Sequence, residues 1–351
     1  MLQYSLNTPD SAASGKARAV WDAVAKPLRS LGKLEDIIVK IAGIQRTEDV
    51  CIRPRCVLVF CADHGVVEEG VSQCGQSVTG LVAASVADGT SNVNLMAKIA
   101  GADVHAVDMG MAREIGGSAI IRRRIAAGTG NMAQERAMTR RQAEEAVQAG
   151  IDIVRQMQSQ GYRIIVTGEM GIGNTTASAA ILCALLGLEP EEAVGRGAGL
   201  SDAGLARKRA AVERALKINR PDPDDPLDVL AKVGGFEIAA MAGAFLGGMT
   251  CSVPIVIDGA ISAVSALLAA RICPAVRQYM IASHMSREGM VGRVMKEMDL
   301  EPVIHAGMAL GEGTGGVALL PLIDMALSVY RGRHTFSALG MQAYTPQGGD
   351  R

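Results

Sequence analysis

The sequence predicts an α/β protein in which a mostly parallel β-sheet is covered by helices on both faces. Three observations lead to this fold class. Short, continuous apolar runs alternate along the chain with Ala-rich segments of helical pattern, as in parallel sheets whose strands are buried on both faces. Most of these runs end at a polar or acidic residue accompanied by glycine. The 351 residues are 49% hydrophobic but only 3% aromatic, so small and branched aliphatic side chains must fill the core.

Five apolar runs are predicted to be strands of this sheet. They cover residues 56–61, 103–107, 163–166, 253–257 and 279–282. Right-handed crossovers place the carboxyl ends of parallel strands at one edge of the sheet, where ligands bind in open α/β folds. We therefore expect the polar residues that close these runs to meet there, joined by a glutamate from a later loop: Asp63, His64, Asp108, Glu169, Asp258, His284 and Glu312.

The two ends of the chain differ in pattern from its centre. Residues 12–43 carry apolar side chains at helical spacing, whereas the residues after Tyr330 are polar and contain glycine and proline. We expect residues 1–50 and 326–351 to form a small helical domain, and residues 51–325 to form the large α/β domain.

A long uncharged stretch at 238–257 raises a transmembrane interpretation. Alanine and glycine dominate this stretch, Pro254 interrupts it and Asp258 follows it. The pattern therefore predicts a buried helix followed by a buried strand, and no membrane association is expected.

Charge and cysteine content exclude several classes of protein. Lys plus Arg number 35 against 36 Asp plus Glu, a net charge of -1, so the chain lacks the basic footprint of a nucleic-acid-binding protein. Its apolar content excludes a disordered chain. The seven cysteines are odd in number and form no C-x-x-C motif, and the N-terminus lacks a signal-peptide pattern, so a reduced, cytoplasmic protein is expected. Cys51, Cys56 and Cys61 recur every five residues, but small buried cysteines explain this spacing better than a metal cluster.

A glycine-rich segment, TGEMGIGNTT at 167–176, lies between a predicted strand and a predicted helix over 177–186. Its glycines let backbone N–H groups approach an anion, and Asn174 or Thr175 can cap the helix, whose N-terminus favours a phosphate. The segment is neither a Walker A loop nor a G-x-G-x-x-G motif. A tight strand–helix turn without a ligand is the alternative.

A second glycine-rich segment, GRGAGLS at 195–201, is followed by the basic run RKR at 207–209. Glycines with nearby cations suit a phosphomonoester. A flexible loop before a helix with a solvated basic face is an equal alternative.

Glu312 stands between glycines in GEGTGG at 311–316, before an apolar helical segment over 317–329. A glutamate with a fixed backbone at a glycine-lined ligand site is suited to act as a general base. The alternative is a favourable charge near a helix N-terminus, worth ~0.3–1 kcal/mol. Together with the other acidic strand-end residues, Glu312 favours a site for a polyol and a cationic or proton-losing substrate. His64 and His284 match no zinc-binding spacing, so hydrogen bonding is expected of them.

Seven long segments then carry a family resemblance: SLGKLE (30–35), CADHGVVEEGVS (61–72), TGEMGIGNTTASAA (167–180), KVGGFEIAAMAG (232–243), VIDGAISAVSALLA (256–269), ASHMSREG (282–289) and LGEGTGG (310–316). The chain resembles the nicotinate-nucleotide–dimethylbenzimidazole phosphoribosyltransferase family over residues 16–330. The resemblance implies a Rossmann-like parallel sheet, a small helical domain from the chain termini and a homodimer. It also implies transfer of the phosphoribosyl group of nicotinate mononucleotide to a benzimidazole-type base. The implied products are α-ribazole phosphate and nicotinate, with inversion from a β- to an α-glycosidic bond.

The resemblance also implies roles for individual residues. Glu312 is implied as the catalytic base and Glu169 as a second acidic group in the site. The residues implied to bind the phosphate and ribose of the nucleotide are Gly171, Gly173, Asn174, Thr175, Gly197, Lys208, Asp258 and Ser286. Those implied for the base pocket are Asp63, His64, Cys74, Val82 and Leu310. The departing nicotinate is a pyridinium before cleavage, so no general acid is required. No cofactor is expected, and no metal is expected because the phosphate takes no part in the reaction and is held by amides and cations.

One departure from the family pattern affects the acceptor base. Cys74, with the glycine after it, and Val82 occupy places where well-known relatives have a Ser-Pro pair and a glutamine near the base. Dimethylbenzimidazole is the expected acceptor, but this departure leaves adenine or another purine, a different benzimidazole or a phenolic base open. Two other classes also remain. One is a nucleotide-dependent oxidoreductase, weakened by the missing G-x-G-x-x-G motif, and the other is a non-catalytic mononucleotide-binding protein.

Overall fold

The computed structural model describes residues 2–116 and 119–345, and a six-stranded sheet forms the centre of this part of the chain. The strands are β1 (Arg55–Ala62), β2 (Asp103–Gly110), β3 (Ile121–Arg122), β4 (Ile164–Met170), β5 (Ile255–Ile257) and β6 (Met280–Ala282). Their order in the sheet is β3-β2-β1-β4-β5-β6, and every neighbouring pair is parallel. The predicted parallel α/β fold is confirmed, and β3 is a short strand that the sequence did not predict.

Thirteen α-helices surround the sheet in the described residues. They are α1 (Ser11–Ala23), α2 (Lys33–Gln45), α3 (Ser77–Ala87), α4 (Asn92–Ala100), α5 (Arg140–Ser159), α6 (Asn174–Leu186), α7 (Pro190–Ala193), α8 (Asp202–Asn219), α9 (Pro226–Val233), α10 (Phe236–Cys251), α11 (Ala260–Ile272), α12 (Met290–Glu297) and α13 (Thr314–Tyr330). Two 3-10 helices, Gly65–Glu69 and Pro274–Tyr279, complete the set.

The central strand β1 shows why the sheet is covered on both faces. All eight of its residues are buried, and successive side chains of a strand point to opposite faces. Leu58 and Phe60 belong to a core cluster shared with α5, α6, α10 and α11. Val57 and Val59 belong to a second cluster shared with α1, α2, α4 and α13. The sheet therefore separates two hydrophobic layers, as its continuous apolar strands predicted.

The uncharged stretch at 238–257 forms most of α10 and then β5, as predicted. Helix α10 packs against α5 at a very short separation, because a methyl group added at Gly150 would lie 1.9 Å from the carbonyl oxygen of Ala240. At Gly243 the same addition would meet the carbonyl of Val147 at 1.9 Å. Among the described residues, no helix is long and apolar enough to cross a membrane.

The predicted helical segment at 12–43 is two helices, α1 and α2, separated by residues 24–32. Trp21 of α1 meets Tyr330 of α13 edge to face, with ring centroids 5.2 Å apart, so the two ends of the chain pack together. The predicted domain boundary at residue 325 falls inside the continuous helix α13, and these helices share one core cluster with the sheet. The division into two domains stays a prediction. Residues 1 and 346–351 of the predicted terminal domain lie outside the described residues.

Candidate active site

The carboxyl ends of the parallel strands meet at one edge of the sheet, and the acidic loop at 311–313 lies against this edge. Gly311, Glu312 and Gly313 have backbone φ angles of +85°, +60° and +91°. Three successive left-handed residues are unusual, since an L-residue with a side chain avoids this region and glycine does not. Glu312 is therefore held in a strained conformation between two glycines that tolerate it, which is a recurrent feature of functional sites.

Asp258, directly after β5, fixes this loop through hydrogen bonds to its backbone. Its carboxylate accepts hydrogen bonds from the backbone N–H groups of Gly313 (3.1 Å), Gly315 (2.7 Å) and Gly316 (3.0 Å). These amides belong to the start of α13, whose first N–H groups have no partners within the helix. Burial raises the pKa of Asp258 to about 6, although the three amides favour its charged form. Asp258 thus fixes the helix start next to Glu312.

Strand β4 passes directly beneath the loop. A methyl group added at Gly168 would lie 2.5 Å from the carbonyl oxygen of Glu312, so only glycine allows this approach. One added at Gly311 would lie 2.6 Å from Oε1 of Glu169. The T-G-E and G-E-G motifs are therefore in contact, and they bring Glu169 beside the Glu312 loop.

The two glutamates share a partly buried, acidic environment. Burial first, and then the nearby carboxylates of Asp258 and Glu312, raise the pKa of Glu169 to about 7 against the opposing effect of a hydrogen bond from the side-chain amide of Asn174. Burial also raises the pKa of Glu312, whose Oε2 accepts a hydrogen bond from the backbone N–H of Val93 at 3.4 Å. A half-buried carboxylate with a raised pKa is a better proton acceptor near neutral pH than an exposed one.

A cationic site lies at the other end of the glycine-rich loop, beside α6. Lys208 of α8 is 1% exposed, and its Nζ donates hydrogen bonds to Oγ1 of Thr175 (2.7 Å) and to the carbonyl of Gly195 (3.2 Å). Burial lowers the pKa of Lys208 to about 8. Gly197 adopts a φ of +52°, and a methyl group added there would lie 3.5 Å from Nζ of Lys208. The two glycine-rich segments identified in the sequence therefore converge on one ammonium group.

The loop before α6 completes this part of the site. Gly173, with a φ of +101°, precedes the first residue of the helix, Asn174. A methyl group added at Gly171 would lie 2.7 Å from the carbonyl oxygen of Ala62 and 3.3 Å from Nδ2 of Asn174, so the loop packs tightly on the end of β1. Ser286 is buried, and its Oγ accepts a hydrogen bond from the backbone N–H of Glu288 at 3.3 Å.

His64 has a partner that the sequence did not predict. Its Nε2 lies 2.6 Å from Oε1 of Glu237, and both side chains are buried. Burial opposes protonation of His64, but the Glu237 carboxylate raises the pKa of the histidine overall. The pair lies under the loop before α6, since a methyl group added at Gly171 would be 3.1 Å from Oε1 of Glu237. Glu237 could have been suspected as the only charged residue of the apolar helix α10.

A cavity of about 670 Å³ opens beside the ends of β1 and β2. It is lined by Asp63, Gln76, Ser77, Gly80, Leu81, Ala84, Ala112, Arg113, Glu114, Ile115 and Gly116. Oδ2 of Asp63 accepts a hydrogen bond from the N–H of Ala112 at 2.7 Å, and burial raises the pKa of Asp63. Of the five residues expected in a base pocket, Asp63 is the one among these lining residues.

The other four expected pocket residues lie elsewhere. The imidazole of His64 is hydrogen-bonded to Glu237, and Cys74 and Leu310 are exposed. Val82 packs against the core, because α3 turns the face of Thr79, Ala83 and Val86 inward and presents Leu81 to the cavity. On α3, Leu81 and not Val82 is therefore among the residues that line this cavity.

Within residues 2–116 and 119–345, no three or more His, Cys, Asp or Glu side chains are grouped so that they could hold a metal ion.

Comparison with known proteins gives a consistent result. A family model described as phosphoribosyltransferase matches residues 6–340. The nicotinate-nucleotide–dimethylbenzimidazole phosphoribosyltransferase of Acetivibrio thermocellus is 45% identical over 326 residues, which cover 93% of each chain. The protein of the same name from Desulforudis audaxviator is 45% identical, covering 95% of this chain and 94% of its own. The crystal structure of CobT from Thermus thermophilus is similar with a TM-score of 0.89 at 39% identity, covering 95% of this chain and 100% of that one.

Proposed function

The chain belongs to the nicotinate-nucleotide–dimethylbenzimidazole phosphoribosyltransferase family, and on this premise we propose how its residues carry out the reaction. The enzyme transfers the phosphoribosyl group of nicotinate mononucleotide to a benzimidazole-type base and releases α-ribazole phosphate and nicotinate. We assign the general base to Glu312, and the observation that carries this assignment is its left-handed loop, fixed at the end of the sheet by Asp258 and Gly168.

The bond changes require one proton acceptor. A nitrogen of the acceptor base attacks the anomeric carbon of the ribose, and the bond from that carbon to the nicotinate nitrogen breaks. The positively charged pyridinium ring takes the bonding electron pair and leaves as nicotinate, so no general acid is needed. The second nitrogen of the acceptor loses its proton to Glu312, whose raised pKa suits this transfer.

Charge develops on the ribose during this displacement, and the acidic residues around it provide stabilisation. Glu169 contacts the Glu312 loop and is proposed to face the oxocarbenium-like centre. Asp258 was expected to contact the substrate, but both of its oxygens accept backbone hydrogen bonds, so we assign it the task of positioning Glu312.

The phosphate of the nucleotide is proposed to bind at Lys208. Support comes from its buried ammonium group, the Thr175 hydroxyl beside it, and the glycines of both loops, whose N–H groups can approach an anion. Asn174, whose side-chain amide donates a hydrogen bond to Glu169, and the buried Ser286 are proposed to contact the nucleotide as well. The phosphate takes no part in bond making, so its site needs charge complementarity and no chemistry.

The acceptor base is proposed to occupy the cavity beside α3. Leu81 and Ala84 offer an apolar wall, and Gln76 and Asp63 offer polar groups at one end. A volume of about 670 Å³ is ample for a flat two-ring base. Dimethylbenzimidazole is the proposed acceptor, as in the names of the relatives.

A homodimer in the cytoplasm is the proposed state of the enzyme. Helices α4 and α13 pack together and leave large apolar side chains exposed at i, i+4 spacing: Leu95 (60%), Ile99 (87%), Met325 (57%) and Val329 (41%). Such a surface is typical of a subunit interface. The cytoplasmic location is supported by seven unpaired cysteine thiols.

The reaction is tested by incubating the protein with nicotinate mononucleotide and dimethylbenzimidazole and separating the products by chromatography. Nicotinate and α-ribazole phosphate should form in equal amounts. Release of nicotinate without a base adduct would indicate hydrolysis and contradict the proposed transfer. Adenine and phenol, supplied in place of dimethylbenzimidazole, then define how far the cavity accepts other bases.

A further inference from the structure

A narrow cavity adjoins the proposed phosphate site and contains a carboxylate as well as the lysine. Its polar lining consists of Thr175, Ser178, Lys208 and Glu288, and its remaining walls are glycine and apolar residues. Glu288 lies between Ser286 and helix α12 and is half-buried. The cavity in which an anion is expected therefore already holds one negatively charged side chain of the protein.

Lys208 has no close ionic partner in this structure. Both hydrogen bonds from its Nζ go to uncharged oxygens, those of Thr175 and Gly195. Among the described residues, no carboxylate lies within 4.0 Å of this nitrogen. A buried ammonium is costly without a compensating charge. The carboxylate of Glu288 supplies that charge from a greater distance and favours the protonated lysine, against the stronger effect of burial.

Glu288 lines this cavity over the backbone of Gly195 without being fixed there. A methyl group added at Gly195, whose carbonyl binds Lys208, would lie 2.3 Å from Oε2 of Glu288. The carboxylate thus rests on the glycine backbone beside the ammonium group. It accepts no hydrogen bond and forms no ion pair within the described part of the chain. A side chain held only by packing can rotate away at little cost.

We propose that Glu288 is a displaceable counter-ion of Lys208, which leaves the cavity when the phosphate monoester of the nucleotide enters. This inference rests on the proposed phosphate site. A phosphate monoester carries a charge of about -1.5 to -2 near neutral pH and three acceptor oxygens, so it neutralises Lys208 better than one distant carboxylate. Two anions in one small cavity repel each other. Glu288 therefore compensates the lysine in the free enzyme and competes with the substrate.

The test compares Glu288→Gln with Glu297→Gln and the wild type. The glutamine keeps the shape of Glu288 and removes its charge. Glu297 lies at the end of the short helix that follows, pairs with Arg271 at the surface and lies outside the cavity, so its variant controls for the change in net charge. Binding of inorganic phosphate is measured by calorimetry at pH 6.5, where Lys208 stays protonated, and the KM for nicotinate mononucleotide is measured at the same pH.

Glu288→Gln should bind phosphate about 3- to 10-fold more tightly and lower the KM for the nucleotide by a similar factor, with Glu297→Gln unchanged. Equal phosphate affinity in all three proteins would overturn the inference. Weaker binding by Glu288→Gln would also overturn it, because Glu288 would then hold the ligand. Tighter binding in a protein that forms no α-ribazole phosphate would support the counter-ion and contradict only the proposed reaction. Phosphate binding that survives Lys208→Ala undiminished would reject the phosphate site and the counter-ion together.

Discussion

The acidic half of the site, around Glu312, and its basic half, around Lys208, bury charges of opposite sign. In the acidic half, Glu169, Asp258 and Glu312 lie at strand ends or against them with raised pKa values, and backbone or side-chain amides supply most of their hydrogen bonds. In the basic half, Lys208 is buried against neutral oxygens, and its pKa is lowered to about 8. Each half holds charges that burial disfavours.

The difference indicates what each half binds. Groups that burial destabilises gain most from a ligand of the opposite charge. The pyridinium nitrogen of nicotinate mononucleotide and the ribosyl carbon bonded to it are electron-poor and suit the carboxylates, while the phosphate end suits the lysine. When nicotinate leaves, its ring nitrogen is no longer charged, so the attraction to the carboxylates is lost while the attraction between the phosphate and Lys208 remains. The two halves can therefore be separated by experiment.

The largest expected effect is in the acidic half. Glu312→Gln keeps the size of the side chain and removes the proton acceptor, so kcat should fall roughly 10²–10⁴-fold with little change in the KM for the nucleotide. Initial rates of nicotinate release measure this. Glu301→Gln, at an exposed glutamate paired with Lys33, is the matched control and should have normal rates. A loss below about tenfold for Glu312→Gln would move the base to another group.

In the basic half, Lys208→Met should act on binding. It removes the charge and keeps a long side chain, so the KM for nicotinate mononucleotide should rise roughly 10- to 100-fold, the value of a charge-assisted hydrogen bond. The KM for the acceptor base should change much less, and both constants come from the same initial-rate series. Equal increases in both would place Lys208 outside the phosphate site.

Asp258→Asn tests the link between the acidic half and the backbone. The side-chain amide cannot accept all three bonds from the N–H groups of the Gly313–Gly316 turn, so stability should fall by about 1–3 kcal/mol. Because the Glu312 loop loosens, kcat should fall while the KM for the nucleotide stays nearly constant. Urea unfolding and steady-state kinetics provide the two values. A raised KM with unchanged kcat would return Asp258 to substrate binding.

The pH dependence of stability should have opposite signs in the two halves. The pKa of Glu169 is raised from 4.5 to about 7, so the folded state binds more protons and stability falls as pH rises through this range. The pKa of Lys208 is lowered from 10.5 to about 8, so stability rises as pH increases from 8 to 10.5.

Each variant should lose its own slope. As the pH rises from 4.5 to 7, the wild type should lose stability that Glu169→Gln keeps, so the variant gains relative to it. As the pH rises from 8 to 10.5, the wild type should gain stability that Lys208→Met does not, so this variant loses relative to it. Urea unfolding at the ends of each range measures both. Parallel curves for a variant and the wild type would show that burial does not disfavour that charge.

The smallest effect concerns two neighbours on α3. Leu81→Ala should raise the KM for the acceptor base by roughly 2- to 10-fold with no loss of stability, because this side chain is 69% exposed at the cavity. Val82→Ala should do the reverse and cost about 1 kcal/mol of stability without affecting the base. The opposite pattern would restore Val82 to the base pocket.

Local sequence signals were sufficient for most of the fold. The strands β1, β2 and β4 coincide with short runs that the sequence predicted to be strands, and their predicted starts lie within one residue of those observed. Glu312 and Glu169 became candidates because glycines accompany them in the sequence, and the structure brings their two motifs into contact. Strand β3 has only two residues, Ile121 and Arg122, and a pair of residues carries no periodicity.

The features that escaped prediction are those that join distant segments. His64 and Glu237 are 173 residues apart, and Asp258 reaches Gly313 across 55 residues, so no local pattern could report either contact. The position of Leu81 rather than Val82 in the lining of the cavity has another cause. Helix α3 is apolar on nearly every side, and such a helix gives no amphipathic pattern from which its inward face can be read.

The contact between Gly168 and the carbonyl of Glu312 limits how this site could be transplanted. A designer who grafts the Gly-Glu-Gly loop onto another α/β scaffold must also supply a glycine on the strand beneath it, in the matching register. An alanine there would push the loop upward and tilt Glu312 away from its target. The smallest portable unit of this active site is therefore a strand together with a loop some 140 residues later in the chain.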